Sequence, residues 1–219
     1  MRDELLDKGK ALAFEALSLL GRHPGRTVEY GFAADNTNVT TRNLLDVGSA
    51  GSFFPLQMAK RGFQVTAVDV RPYRQTHQNL NFIQADITKL PFAAEFFDTI
   101  TCISTIEHLG LSAYGDPRHD NADESAIIEF KRVLVPQGRL ILTTPFSSKY
   151  QLLKWRDSYE RIYDQDKIGS LFASWNVAKE HYYVCRRWQD WVRSTKAEAK
   201  KPHPAYPRAN LSCFVLEKP

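Results

Sequence analysis

Asn43-Leu-Leu-Asp-Val-Gly-Ser-Ala-Gly51, followed by Phe54 to Arg61 and then by Val65-Thr-Ala-Val-Asp69-Val70, reads as a strand, a turn of small residues, a helix and a second strand ending in a carboxylate. A glycine or other small side chain at 48 to 52 lets backbone N–H groups approach a ligand closely. An acid about 20 residues further on accepts the hydroxyls of a ribose. Asp69 follows Gly48 by 21 residues. The pattern therefore points to a ligand built on a nucleoside, and by itself it leaves open which one.

Three more blocks come in order: Ile83-Gln-Ala-Asp86-Ile87-Thr-Lys-Leu-Pro-Phe92, then Phe97-Asp-Thr-Ile-Thr-Cys-Ile-Ser104-Thr105-Ile-Glu107-His108-Leu109, then Phe130-Lys-Arg-Val-Leu-Val-Pro-Gln-Gly138-Arg-Leu-Ile-Leu-Thr-Thr-Pro145. The ordered series over roughly residues 43 to 145 resembles the class I S-adenosylmethionine (SAM)-dependent methyltransferases, of the type 11-like kind. Arg71-Pro-Tyr73 and Gly110-Leu-Ser-Ala-Tyr-Gly-Asp-Pro117 are also similar to bacterial members from sugar and polysaccharide loci. The resemblance implies a Rossmann-like, doubly wound α/β fold, with a mostly parallel seven-stranded sheet whose last strand is reversed. It implies S-adenosyl-L-methionine as cofactor, held by Asp46, Gly48, Ser49, Gly51, Asp69, Val70, Asp86, Ile87, Ser104 and Thr105. In this assignment the glycine turn passes under the methionine part, Asp69 accepts the ribose hydroxyls, and Asp86 with the Ile87 backbone brackets the adenine edge. Ser104 and Thr105 face the sulfonium end. Ala50 and Ser52 stand where many members have glycine, so the turn is bulkier than usual. A SAM-fold binding or regulatory protein without catalysis is thereby a rival expectation.

The 219 residues, 43% hydrophobic and 25% charged, suit one domain with a single core. The charged start Met1-Arg-Asp-Glu-Leu-Leu-Asp-Lys8 is unlike a signal peptide, and no run of about 18 apolar residues is present, so a cytoplasmic protein with no membrane association is expected. Cys102, Cys185 and Cys213 are widely spaced in apolar runs and read as reduced core residues. The net charge of +4 suits an anionic or carrier-linked small-molecule acceptor, and equally an ordinary solvated surface; a monomer or homodimer is expected. Nucleic acid is disfavoured as a partner, because the position after the fourth strand reads Ser104-Thr-Ile-Glu107 rather than Asn-Pro-Pro-Tyr. A Gly-x-Gly-x-x-Gly turn and a Tyr-x-x-x-Lys pair, which a dinucleotide oxidoreductase would want, are both missing.

Spacing predicts an N-terminal helix over 3–20, a polar, turn-rich segment over 22–42, strands at 43–48, 64–69, 81–85, 97–103 and 139–144, and helices at 54–61 and 123–134. Beyond these come a helix at 164–172, a strand at 174–185 and a last strand at 210–217. The latter two are expected to form a hairpin interrupted by a basic insertion, 186–208, which opens with Trp188 and Trp191. That insertion reads as an amphipathic solvated helix, or as a lid or partner surface that attracts an anionic group.

A hydroxyl acceptor must lose its proton during methyl transfer, so a positioned histidine points to oxygen as the nucleophile. His108 is the first candidate base and His119 the second, with His181 and Tyr150 as further pocket-lining groups. Asp116, Asp120 and Asp123 sit near His119 and could hold Mg²⁺, but Asp, Asn and Pro also serve as turn formers, and no metal is expected. The expectation is O-methylation of a sugar-like or other hydroxylated intermediate; N-methylation of an amine or amino sugar is the alternative.

Overall fold

The computed structural model describes residues 26–219 except 113, 115–117, 156–157, 188–189 and 202–208. The helix expected over 3–20 lies outside the described residues. Five strands run parallel: β1 (Asn43–Val47), β2 (Gln64–Asp69), β3 (Leu80–Gln84), β4 (Phe97–Ile103) and β5 (Leu134–Phe146), in the spatial order β3-β2-β1-β4-β5. Next to β5 lies the reversed last strand β10 (Asn210–Glu217), then β8 (Asn176–Arg187) and β9 (Asp190–Ser194), each antiparallel to its neighbour. A separate antiparallel pair, β6 (Gln151–Trp155) and β7 (Ser158–Ile162), stands off the main sheet.

The central strands are apolar on both faces, as parallel strands covered on both sides must be. Leu45, Ile100, Leu142 and Phe214 pack to one side with Phe130 of helix α3 (Ala122–Val133). Leu44, Ile141, Cys213 and Val215 pack to the other, against Phe32 of α1 (Arg26–Asn36) and Phe54 and Met58 of α2 (Phe54–Lys60). The period-two alternation of adjacent residues such as Leu44 and Leu45 decides which core each enters. Strand order reverses between β1 and β4: from β1 the chain builds outward through β2 and β3, then returns to place β4 on the other side. That switch point opens a cleft beyond the carboxyl ends of the strands.

Three expectations need correction. The sheet has eight strands rather than seven, because the insertion is not one amphipathic helix. Its start extends the sheet as β9, and among its described residues only Lys196–Ala199 is helical, as α5. The segment 22–42 is not all turn: α1 occupies Arg26–Asn36, burying Glu29, Phe32, Ala33 and Asn36. These positions have helical spacing, but two are polar, which hides the pattern from a count of apolar residues. Strand β5 begins at Leu134 and passes through Pro136-Gln137-Gly138 as an irregularity, with pairing shifting from Phe97↔Leu134 to Thr99↔Arg139. The helix expected at 164–172 is α4 (Gln165–Leu171), capped by the Asp164 side chain, which accepts from Lys167 N–H. All three cysteines are buried.

Candidate active site

A cavity of about 660 Å³ lies at the switch point and is bordered by Gly48, Gly51, Asp69, Val70, Asp86, Ile87, Ser104 and Thr105, together with His108 and His119. Two expected donor residues are not in its lining. Asp46 and Ser49 are buried beneath the turn, where the Ser49 hydroxyl donates to the Asp46 carbonyl at 2.9 Å and Thr101 donates to the Asp46 carboxylate at 2.7 Å. They hold the turn from below instead of facing a ligand. Burial pushes the Asp46 carboxyl up to about 7, even though the Thr101 and Ser49 hydroxyls favour its charged form.

The turn is built around Gly48, whose φ of 76° lies in the left-handed region. A Cβ there would meet Thr105 Oγ1 at 2.2 Å, so only glycine lets β1 and the end of β4 approach this closely. Ala50, the first departure from a glycine-rich turn, donates its backbone N–H to Asp69 Oδ2 at 2.8 Å. Ser52, the second, shares a 2.9 Å hydrogen bond with the Tyr30 hydroxyl and accepts from Phe54 N–H at 3.1 Å, tying α1 and the start of α2 together. Asp86 accepts from the Thr88 N–H and hydroxyl, each at 2.8 Å, so it shapes its own turn while bordering the cleft.

The helix α1 brings in groups that sequence reasoning missed. Glu29 is buried and accepts from the hydroxyls of Ser104 and of Thr143, the latter at 2.7 Å. Arg26 lies 3.7 Å from Glu29, donates to the Ile103 carbonyl at 3.0 Å and borders the cleft. Burial works against its charge, but Glu29, Tyr30, Glu107 and Tyr114 together outweigh it and raise the guanidinium's pKa. Ser104 itself has φ 43°, a strained conformation held by its N–H bonds to Thr143.

At the other end of the cleft, Ile106–His108 form one 3₁₀ turn. Glu107 points inward: it is buried, Thr144 lies 3.4 Å from its carboxyl, and burial raises its pKa well above the ordinary range. His108 points into the cleft. Its Nδ1 is 3.2 Å from the Tyr159 carbonyl, and its ring meets Tyr114 edge to face at 5.3 Å. A carbonyl can only accept, so this contact requires the proton on Nδ1 and leaves Nε2 as the basic nitrogen of the neutral ring.

Arg161 of β7, also missed from sequence, joins the pieces. It is 1% exposed, donates to Leu109 O at 2.6 Å and Asp120 O at 2.9 Å, and lies 3.7 Å from Asp123, which also accepts from Tyr163 at 3.0 Å. Asp123 is thus committed to the core, Asp120 is exposed beside Arg118 at 3.7 Å, and Asp116 lies outside the described residues. Among the described residues no group of three or more His, Cys, Asp or Glu is arranged to hold a metal. His181 and Tyr150 do not border the cleft: His181 packs on Phe32 from β8, and Tyr150 packs on Tyr163. Within the insertion, Trp191 pairs across to Cys185 at the far edge of the sheet; Trp188 lies outside the described residues.

Residues 45–142 match the family of proteins described as methyltransferase domains. The fold is that of the class I methyltransferases. It superposes on a Burkholderia thailandensis 1,6-didemethyltoxoflavin-N1-methyltransferase, whose structure holds 1,6-didemethyltoxoflavin and S-adenosylhomocysteine, with a TM-score of 0.65 at 13% identity, covering 99% of this chain and 88% of that one. It also superposes on the [4+2]-cyclase SpnF with a TM-score of 0.61 at 19% identity, covering 87% and 79%. Both likenesses concern the fold alone. Among curated proteins, ubiquinone biosynthesis O-methyltransferases match at 29% identity over 133 residues in Xanthomonas oryzae pv. oryzae, covering 56% of this chain and 51% of that protein. In Coxiella burnetii they match at 30% over 112 residues, covering 47% and 43%. The chain spans about a third to a half of the length of the curated relatives it matches. Among the described residues, no helix is long and apolar enough to cross a membrane.

Proposed function

We propose that this protein is a SAM-dependent methyltransferase that methylates a hydroxyl oxygen of a small molecule, with His108 as general base. The observation that carries the proposal is a single cleft bringing the glycine turn, Asp69 and Asp86 together with His108, whose Nδ1 lies 3.2 Å from a carbonyl that can only accept. The residues fit the cofactor: the glycine turn borders the cleft with open space beside Gly51, where a Cβ would meet nothing, and a carboxylate able to accept a ribose diol stands at the end of β2. When bound, SAM supplies a methyl group already activated by a sulfonium. Asp69 would accept the ribose hydroxyls, Asp86 and Ile87 would border the adenine, and Arg26 would meet the carboxylate of the amino-acid end. The chain's remaining tasks are to hold the acceptor in line and to take its proton. His108 Nε2 does the second, the Tyr159 carbonyl stabilising the imidazolium through Nδ1. The naming of the curated relatives as O-methyltransferases supports oxygen over nitrogen.

Calorimetric titration with SAM and with NADH, then turnover on panels of hydroxylated compounds and amines, tests the proposal. Saturable SAM binding without a response to NADH, and oxygen methylation lost in His108→Ala, are expected. Absence of SAM binding, or methylation of amines alone, contradicts it.

A further inference from the structure

Asp69 is the group on which ribose recognition depends in the proposed function, and its coupling to the acceptor end rests on that reading. A carboxylate offers about four lone-pair sites. All four are engaged: Oδ1 accepts from the Arg71 backbone N–H at 2.9 Å and from Arg71 Nε at 3.3 Å, and Oδ2 accepts from Ala50 N–H at 2.8 Å and from Arg71 Nη2 at 3.4 Å. The two short bonds come from backbone fixed by the turn. The two long ones come from a single guanidinium whose side chain is 38% exposed. A vicinal diol binding this carboxylate needs two acceptor sites, and the Arg71 fork holds the two that can be vacated without unravelling the turn.

The same guanidinium has partners away from Asp69. Its Nη2 donates to the Ala50 carbonyl at 3.3 Å, and its Cζ lies 4.0 Å from the centroid of the Tyr114 ring, which in turn packs on His108. An unbroken line of contacts, Asp69 to Arg71 to Tyr114 to His108, therefore runs from the donor end to the acceptor end. The cleft is also richer in cations than in carboxylates: Arg26, Arg71, Lys89 and Arg118 border it against Asp69 and Asp86. The donor brings a sulfonium of its own, so an anionic acceptor relieves the excess.

We propose that Arg71 is a positioning residue that couples the two ends: the ribose diol displaces its guanidinium from Asp69, and the released cation, still resting on Tyr114, turns to a carboxylate or phosphate carried by the acceptor. Donor binding then precedes and promotes binding of the anion. The implied substrate class is a hydroxylated molecule bearing such a group.

The test is a titration of S-adenosylhomocysteine into the wild type and Arg71→Ala, each repeated with inorganic phosphate as the anion probe. Loss of an exposed ion pair that competes for Asp69 tightens S-adenosylhomocysteine binding about two- to fivefold in the variant. In the wild type, saturating S-adenosylhomocysteine strengthens phosphate binding severalfold; in Arg71→Ala it does not. Arg71→Gln, which keeps bulk over Tyr114 without charge, serves should the alanine variant misfold. Donor affinity that is unchanged or weaker in the variants, or phosphate linkage that survives in them, overturns the proposal. A wild type that binds no S-adenosylhomocysteine defeats the cofactor reading instead, and the two failures are distinct.

Discussion

The two ends of the cleft are built by different means. The end that we propose for the donor, called the donor end below, is made by strand ends and one turn: Gly48 N–H bonds Val68 O at 2.9 Å, Ala50 N–H bonds Asp69, and Gly48 lies against Thr105. Its parts are brought together by the parallel ladder itself, with β1 pairing residue by residue to both β2 and β4. The acceptor end is assembled from the 3₁₀ turn at 106–108, the start of α3 and the β6–β7 hairpin, joined chiefly by side chains. Arg161 reaches back 52 residues to Leu109 and 41 to Asp120, and His108 leans on the Tyr159 carbonyl. Backbone ladders are indifferent to side-chain identity, so the donor end should tolerate substitutions that the acceptor end does not.

Removing Arg161 attacks that difference most directly. Arg161→Ala leaves Asp123 buried without its counter-charge and frees both carbonyls it holds, which should cost about 3–5 kcal/mol. Thermal unfolding in the presence and absence of S-adenosylhomocysteine checks this; a loss below about 1 kcal/mol, the level of an ordinary surface ion pair, would mean that the hairpin is not what organises the acceptor end. Next in size, His108→Ala should lower kcat about 100-fold or more, as loss of a general base does. Its affinity for S-adenosylhomocysteine should stay within about twofold, because the residue lies outside the donor end. Stopped-flow turnover and calorimetry separate the two effects.

Within the donor end, Gly48→Ala probes a point of the turn where side-chain identity does matter. The positive φ and the clash with Thr105 together should cost about 1–3 kcal/mol, with donor affinity falling in proportion. Adding Thr105→Gly should recover only the part due to the clash, which denaturant unfolding of the single and double variants reads out. At Asp46 the effect is expected as a pH dependence. Its carboxyl is raised in the folded protein to about 7 from the ordinary 3.8, so between those pH values the native state retains a proton that the unfolded chain has lost. Stability therefore falls as pH rises through that window and levels off above it. Asp46→Asn should lessen the slope by at most about 1.4 kcal/mol per pH unit. An unchanged slope in denaturant titrations across that window would show that Asp46 is ionised in the fold.

The same contrast explains what could be read from the sequence. The end that we propose for the donor was legible as a group because its residues fall in short blocks at set separations, each ending a strand, and one cavity gathers Gly48, Asp69, Asp86 and Thr105 as the order of blocks implies. Asp46 and Ser49 belong to the same block but face the core, since alternation along a strand end and a turn decides direction more finely than a motif does. The acceptor end was only partly visible. His108 stood out by residue type, whereas Arg161 and the hairpin carry no local signature: their meaning lies in contacts that close across the fold. Helix α1 was hidden for another reason, its buried stripe being half polar, with Glu29 and Asn36 among Phe32 and Ala33. Glu29 is buried because Ser104 and Thr143 hydrogen-bond it, a compensation that only three dimensions reveal.

The most direct measurement is calorimetric titration of S-adenosylhomocysteine into the wild type, Asp69→Asn and His108→Ala. Saturable binding is expected for the wild type, weakening of about tenfold to a hundredfold in Asp69→Asn through loss of charge-assisted hydrogen bonds, and near wild-type binding in His108→Ala. No binding to the wild type, or equal weakening in both variants, would contradict the division of the cleft into a donor end and an acceptor end.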